Sequence, residues 1–237
     1  MLNYYKIAGR IVQMDSFGRT EAQALPYRIH TNDEPEITVV SEFDRARRDF
    51  KTLSDSDVEY IASGANFYKH LLDYNGLMLH SSAVVMDGKA YLFTADSGGG
   101  KSTHTSLWRQ VFGDERVRML NDDKPALCNE NGSWFAYGTP WCGKTGQNAN
   151  LRAPVAGIAV IEKSEHNKIE LFVGTKAIIT LMRQANKPND ADARGKMMGL
   201  LDSLLQDVPV WKMKCNMDPE AAIVSYEAMS GRKFEEL

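Results

Sequence analysis

Residues Ala95 to Ser102 fit the phosphate-binding pattern (A/G)-x-x-x-x-G-K-(S/T), with Ala95 standing where the first glycine is usual. Three successive glycines let the backbone turn with positive φ, so that several N–H groups can face phosphate oxygens while the following helix adds its partial positive charge. Lys101 is placed to reach terminal phosphates, and Ser102 to offer its hydroxyl to a magnesium ion. Ser97, Gly98, Gly99, Gly100 and Thr103 complete the expected cradle, and His104 is expected either to touch nucleotide or to cap the helix. Downstream, Asp122-Asp123 ends the apolar run Val117 to Leu120, as a metal-holding acid does beside such a loop. One carboxylate suffices for magnesium, and its neighbour can take the proton of an attacking hydroxyl.

The elements that must position these groups are also readable. Lys89 to Phe93 has the character of a buried strand, and Thr103 to Phe112 places Leu107, Trp108, Val111 and Phe112 on one helical face, giving the order strand, glycine loop, helix. Asp87-Gly88 between two apolar runs is a hairpin turn. Pairing Met86 with Lys89 and counting back sets His80 opposite Ala95, at the edge of the loop. There a protonated imidazole can stabilise a transferring phosphoryl group. Asn131-Gly132 is a second such turn. With Glu130 opposite Ser133, Thr139 falls opposite Lys124 and Pro140 opposite Asp123, folding Gly138 to Lys144 back onto the acids. Lys144 is then expected to close on the γ-phosphate from the acceptor side.

The runs His80-Ser81-Ser82, Asp96-Ser97-Gly98-x-Gly100-Lys101-Ser102 and Asn121-Asp122-Asp123 together resemble HPr kinase/phosphorylase and, more distantly, ATP-dependent phosphoenolpyruvate carboxykinase. The resemblance spans about Leu72 to Val173. Where that family has Ser-Glu after the loop lysine this chain has Ser102-Thr103, and Phe135-Ala136-Tyr137-Gly138 stands at its Glu-x-Arg-Gly segment. The resemblance implies an α/β fold, a P-loop mixed β-sheet core flanked by helices. It implies ATP and Mg2+ as cofactors, and transfer of the γ-phosphoryl group to a hydroxyl of a protein serine, a peptide or a small molecule. It casts Asp123 as base, Ser102 and Asp122 as metal ligands, and Lys101, His80 and Lys144 as further catalytic groups, with the reverse assignment of the two acids open. Two alternatives stand beside it. One is carboxykinase-like chemistry on a carboxylated metabolite, for which Arg152 and His104 are thin material; the other is a non-catalytic nucleotide sensor.

Composition narrows the rest. The chain of 237 residues is 43% hydrophobic, enough for a full core, and 28 basic against 31 acidic residues give no general attraction to nucleic acid or membrane. Cys128, Cys142 and Cys215 are odd in number and lack metal-ligand spacing. No leader and no apolar run near the length of a membrane span is evident, so a cytoplasmic protein is expected, with homo-oligomerisation open. The division expected is a small β-rich and helical portion over 1–70 and a kinase domain over 71–237. Strand-like content lies at Tyr4 to Val12 and Ile37 to Val40, and Arg45, Arg47 and Arg48 read as a solvated helix face or loop. A helix is expected over Ser54 to Tyr74, with Ser63-Gly64 interrupting its pattern. A strand over Val155 to Ile161 with a half-exposed neighbour at Lys168 to Val173 follows, then helices at Thr175 to Gln184 and Ala191 to Leu205. A late strand over Asp207 to Met213 and a final helix capped by Asp218 complete the chain.

Overall fold

A computed structural model describes residues 3–234, which form an α/β protein with two mixed sheets and seven α-helices among the described residues. The N-terminal sheet has the order β3 (Arg28–Ile29), β1 (Asn3–Ile7), β2 (Arg10–Met14), β4 (Ile37–Val39), with α1 (Gly18–Ala24), α2 (Phe43–Asp49) and α3 (Asp55–Leu71) beside it. The stretch expected as strand from Tyr4 to Val12 is a hairpin. Ala8 and Gly9 take φ of 49° and 76°, the left-handed pair that a two-residue turn between twisted strands requires. The second sheet runs β5 (Gly76–Met78), β9 (Ala126–Glu130), β10 (Ser133–Tyr137), β11 (Arg152–Lys163), β7 (Lys89–Thr94), β6 (Ser81–Met86), β8 (Arg118–Asn121). β13 (Val210–Cys215) pairs in parallel with the far half of β11 and carries β12 (Lys168–Leu171) outside it. So β12 neighbours β13 and not β11, because a parallel strand from later in the chain has inserted between them.

Both sequence-derived registers hold. Met86 faces Lys89 and Ser81 faces Thr94 across Asp87-Gly88, while Glu130 faces Ser133 and Tyr137 faces Ala126 across Asn131-Gly132. β7 and β8 are both antiparallel or paired in opposite sense to β6, so they run the same way. Their C-terminal ends, Thr94 and Asn121, therefore meet the start of β6 at one edge of the sheet. The glycine loop, His80 and Asp122-Asp123 adjoin those strand ends.

Helices cover both faces. α5 (Thr175–Gln184) and α6 (Ala191–Asp207) bury Leu181, Met197, Leu201 and Leu204 against Leu92 and Ile158. α4 (Lys101–Phe112) and α7 (Glu220–Ser230) bury Trp108 and Tyr226 against Phe93, Ala159 and Met213. The final helix begins after Pro219, one residue later than an Asp218 cap implies. A third core joins the N-terminal sheet and α3 to β9, β10 and Trp141, so the first 70 residues share an interior with the second sheet. Ser54 caps α3 by accepting the Asp57 N–H. Gly64 does not break that helix. A Cβ there would lie 2.8 Å from Trp141 Cδ1, and the missing side chain is what lets the indole seat against the helix. Trp141 stacks on Phe67 at 4.7 Å between ring centroids, which adds about 1 kcal/mol beyond the area buried. The Arg45, Arg47 and Arg48 run lies on α2, which buries no residue. Among the described residues, no helix is long and apolar enough to cross a membrane.

Candidate functional site

The loop between β7 and α4 has a physical reason for each glycine. Gly98 and Gly100 take φ of 73° and 102°, and a Cβ on Gly99 would lie 2.8 Å from the Asp96 carbonyl oxygen. Ser97, Ser102 and Thr103 are exposed at its mouth. Lys101 is buried and curls back, donating to the Ala95 carbonyl at 2.9 Å. Burial pulls its pKa below the ordinary lysine value, against the upward pull of Asp123, Asp122 and Asp96. Beside the loop opens a cleft of about 560 Å³ whose walls include Leu107, Ile161, Lys163, Cys215 and Met217.

The two acids are held separately. Ser82 Oγ donates to Asp122 Oδ1 at 2.6 Å and lies 3.0 Å from Thr105 Oγ1, which bonds the Ser102 carbonyl at 3.1 Å. Asp122 is thus strapped to the start of α4, where Ser102 stands. Asp123 faces the other way. His80 Nε2 is 3.0 Å from its Oδ1, while the Tyr60 hydroxyl at 3.2 Å and Lys124 Nζ at 3.6 Å share Oδ2. Burial pushes the Asp123 carboxyl up, but the His80 hydrogen bond, the Lys124 charge and the Tyr60 hydroxyl outweigh it and hold the group below the ordinary carboxylate range. Asn121 sets the turn: its Oδ1 accepts the N–H groups of Asp123 at 2.9 Å and Lys124 at 2.7 Å, and its Nδ2 donates to the Thr139 carbonyl at 3.0 Å. The folded-back loop arrives as the register requires. Gly143 N–H donates to Tyr60 Oη at 2.8 Å, and a Cβ on Gly143 would stand 3.1 Å from that of Asp123.

His80, Lys101, Asp122 and Asp123 are therefore brought together, and Ser97 to Thr103 form the loop around them. Lys144 is exposed and lends its charge to Asp57; the cation beside Asp123 is Lys124, seated over the Tyr60 ring at 4.4 Å. His104 does not cap α4, whose N-cap is Gly100, and it lies in the wall of the cleft beside the loop. It is 2% exposed, packs on Phe93 at 4.6 Å, and bonds Ser225 Oγ at 2.9 Å. Burial pushes its pKa down to about 4. Ser225 already takes the Trp108 indole N–H and donates to the Ala222 carbonyl, so His104 must be the donor at Nε2. Cys142 is buried with its thiol pushed up to about 12 by burial and by Asp123, the state of a bystander and not of a nucleophile. Tyr60 and Gln184 had no local signal in the sequence. Lys124 had one, its adjacency to the acids.

Among the described residues, no three His, Cys, Asp or Glu side chains converge as a metal-ligand set. Ser102 and Asp122, whose Oδ1 is held by Ser82 and whose other oxygen is left for a ligand, suit an ion such as Mg2+ that is bound largely by phosphate and water. No family model and no curated protein matches this sequence. Among solved structures, the Hpr(Ser) kinase/phosphatase from Coxiella burnetii aligns with 65% of this chain and 95% of its own, at 12% identity and a TM-score of 0.37. A likeness of that size fixes neither family nor activity.

Proposed function

We propose that this protein is a Mg-dependent phosphotransferase that moves the γ-phosphoryl group of ATP to a hydroxyl acceptor, on a protein serine, a peptide or a small molecule. The observation that carries this reading is the division of labour between adjacent acids: Asp122 tied through Ser82 to the glycine-loop helix, Asp123 turned to His80, Tyr60 and Lys124. A carboxylate kept ionised at the mouth of a phosphate loop is a base placed for an incoming O–H. The acceptor proton passes to Asp123 as its oxygen bonds the γ-phosphorus and the bridging P–O bond to ADP breaks. Lys101 leaves the Ala95 carbonyl to meet the phosphates, and His80 stands beside the reacting group. Ser102 and Asp122 would hold a magnesium ion, which would supply charge neutralisation at the phosphate oxygens. The cleft, with Leu107, Ile161 and Met217 in its walls, favours a nucleoside triphosphate over pyrophosphate, which has no apolar part to bury.

The test is transfer from labelled ATP across a panel of serine peptides and hydroxylated metabolites. Asp123→Asn is expected to lower transfer by about 10²- to 10⁴-fold while nucleotide affinity stays within a few-fold. Lys101→Met is expected to lose the nucleotide. An Asp123→Asn protein that turns over like the wild type removes the base and the proposal with it.

A further inference from the structure

Two cations share one aromatic ring beside the base. Arg19 Cζ lies 3.9 Å and Lys124 Nζ 4.4 Å from the centroid of Tyr60, whose hydroxyl donates to Asp123 Oδ2 at 3.2 Å. The electron-rich ring holds both charges in place. Gly18 makes room for Arg19. It takes φ of 61°, and a Cβ there would lie 2.5 Å from Ser56 Oγ, which instead accepts the Arg19 N–H at 2.8 Å. Arg19 Nη2 is 3.0 Å from Asp57 Oδ1, its Nε is buried without an acceptor, and part of the side chain stays open to solvent, as do parts of Lys124 and Asp123. Lys144 adds a third positive charge, which reaches Asp57. Three cations against two acids, Asp57 and Asp123, leave one positive charge on the Tyr60 side of the base. Glu59, which also feels Arg19, does not offset it at the mouth. It is fully buried, neither of its oxygens has a partner, and burial pushes its carboxyl up against the pull of Thr20, Ser63 and Arg19.

We propose that Arg19 and Lys124 hold a carboxylate of the acceptor, so that the acceptor is a hydroxy acid whose carboxylate lies a few bonds from the reacting hydroxyl. The nucleotide phosphates belong to Lys101 and the glycine loop, which leaves this surplus charge to the molecule that brings the hydroxyl. One surplus charge matches a carboxylate and falls short of a phosphate dianion, and a guanidinium offers a carboxylate paired, parallel donors. The spacing follows from the ring. An anion on cations that lie over Tyr60 is close to the Asp123 oxygen that the Tyr60 hydroxyl touches. Two sources carry this chemistry, a small hydroxycarboxylate and a serine at the free C-terminus of a peptide; a serine inside a chain has its carboxyl tied up as an amide. The identity of the acceptor rests on the phosphotransferase reading, whereas the carboxylate site does not.

The experiment measures transfer from labelled ATP by the full chain to matched acids and amides: lactate and lactamide, N-acetylserine and N-acetylserinamide, and a peptide ending in serine with its C-terminus free or amidated. In at least one pair the acid is expected to exceed the amide in kcat/KM by about tenfold to a hundredfold, the weight of a hydrogen bond to a charged group. The pair that shows it identifies the source. In Arg19→Gln the ratio of acid to amide is expected to fall toward one, and in Arg19→Lys, which keeps the charge, to stay nearer that of the wild type. Because it is a ratio, this readout does not depend on how much of a variant folds, and a purely structural role for Arg19 would lower both rates and leave the ratio unchanged. Acid and amide used equally well by the wild type, or a ratio unmoved in Arg19→Gln, overturns the carboxylate site while the phosphotransferase reading stands. If no acceptor is phosphorylated, an NMR titration with N-acetylserine in the presence of ATP and Mg2+ decides. Binding that is absent for N-acetylserinamide and lost in Arg19→Gln removes the phosphotransferase reading and leaves the carboxylate site standing; equal or absent binding removes the site as well.

Discussion

His104 makes the protein acid-labile in a predictable window. Its ring is sealed between Phe93 and Ser225, and its pKa in the folded state is about 4 against an ordinary 6.5. Between those values the unfolded chain binds a proton at this position and the folded chain does not, so unfolding is favoured as pH falls. The contribution is fully present above about pH 6.5 and is lost through the fall to about pH 4. At about 1.4 kcal/mol per unit, the loss is about 2 kcal/mol by pH 5 and about 3 kcal/mol at its limit, a large share of a domain's usual 5–15 kcal/mol. Urea unfolding of the wild type and His104→Gln at a series of pH values measures it. The glutamine amide keeps a donor for Ser225 but cannot titrate, so the difference between the two proteins isolates this histidine from the carboxylates that titrate nearby. The gap in stability is expected to narrow by about 2 kcal/mol between neutral pH and about pH 5, with nucleotide affinity of the variant near that of the wild type. A gap that stays constant with pH refutes the buried neutral state, and a variant that folds but loses nucleotide returns His104 to the ligand.

Ser82→Ala cuts the strap between Asp122 and α4 and leaves a buried carboxylate without its donor. A stability loss of about 1–3 kcal/mol by thermal or urea melts, together with a higher magnesium requirement in transfer assays, is expected. Gly64→Ala drives a methyl into the Trp141 indole, at a cost of about 1–3 kcal/mol and with a change in tryptophan fluorescence, because the loop that carries Gly143 to Asp123 is moved. Gly138→Ala is far worse, since its Cβ would lie 1.8 Å from the Ala149 carbonyl oxygen; no soluble folded protein is expected, as read by circular dichroism of any material recovered. Lys124→Met leaves Asp123 with fewer stabilising charges, so the low-pH limb of activity is expected to move toward higher pH in a pH–rate profile.

What could be read in the sequence was whatever a short-range rule determines. A two-residue turn with both residues at positive φ leaves no freedom in pairing, so Asp87-Gly88 and Asn131-Gly132 fixed where His80 and the Gly138–Lys144 loop would land. The same rule was available at Ala8-Gly9, but alanine is a poor advertisement for a left-handed residue, and the hairpin passed as one strand. α1 was illegible because its burial is set by α3, more than thirty residues on, and not by its own pattern: Arg19 N–H is held by Ser56, and only Thr20 and Ala24 of the helix are buried. Tyr60 and Gln184 lie on helices whose periodicity assigns them a face and nothing more. Tyr60 reaches Asp123 across 63 residues, and Gln184 reaches His80 across 104, through packing that no turn rule encodes. His104 shows the limit of proximity, for a position in the first turn of the glycine-loop helix reads as a cap and is not one. The helix rotates every residue 100° from the last, so Ser102 and Thr103 face the loop mouth while His104 turns to the core with Thr105 and Trp108. Counting along a strand carries a side chain to its partner, whereas counting along a helix has to carry its angle as well, and that angle separates the exposed Ser102 from the buried His104.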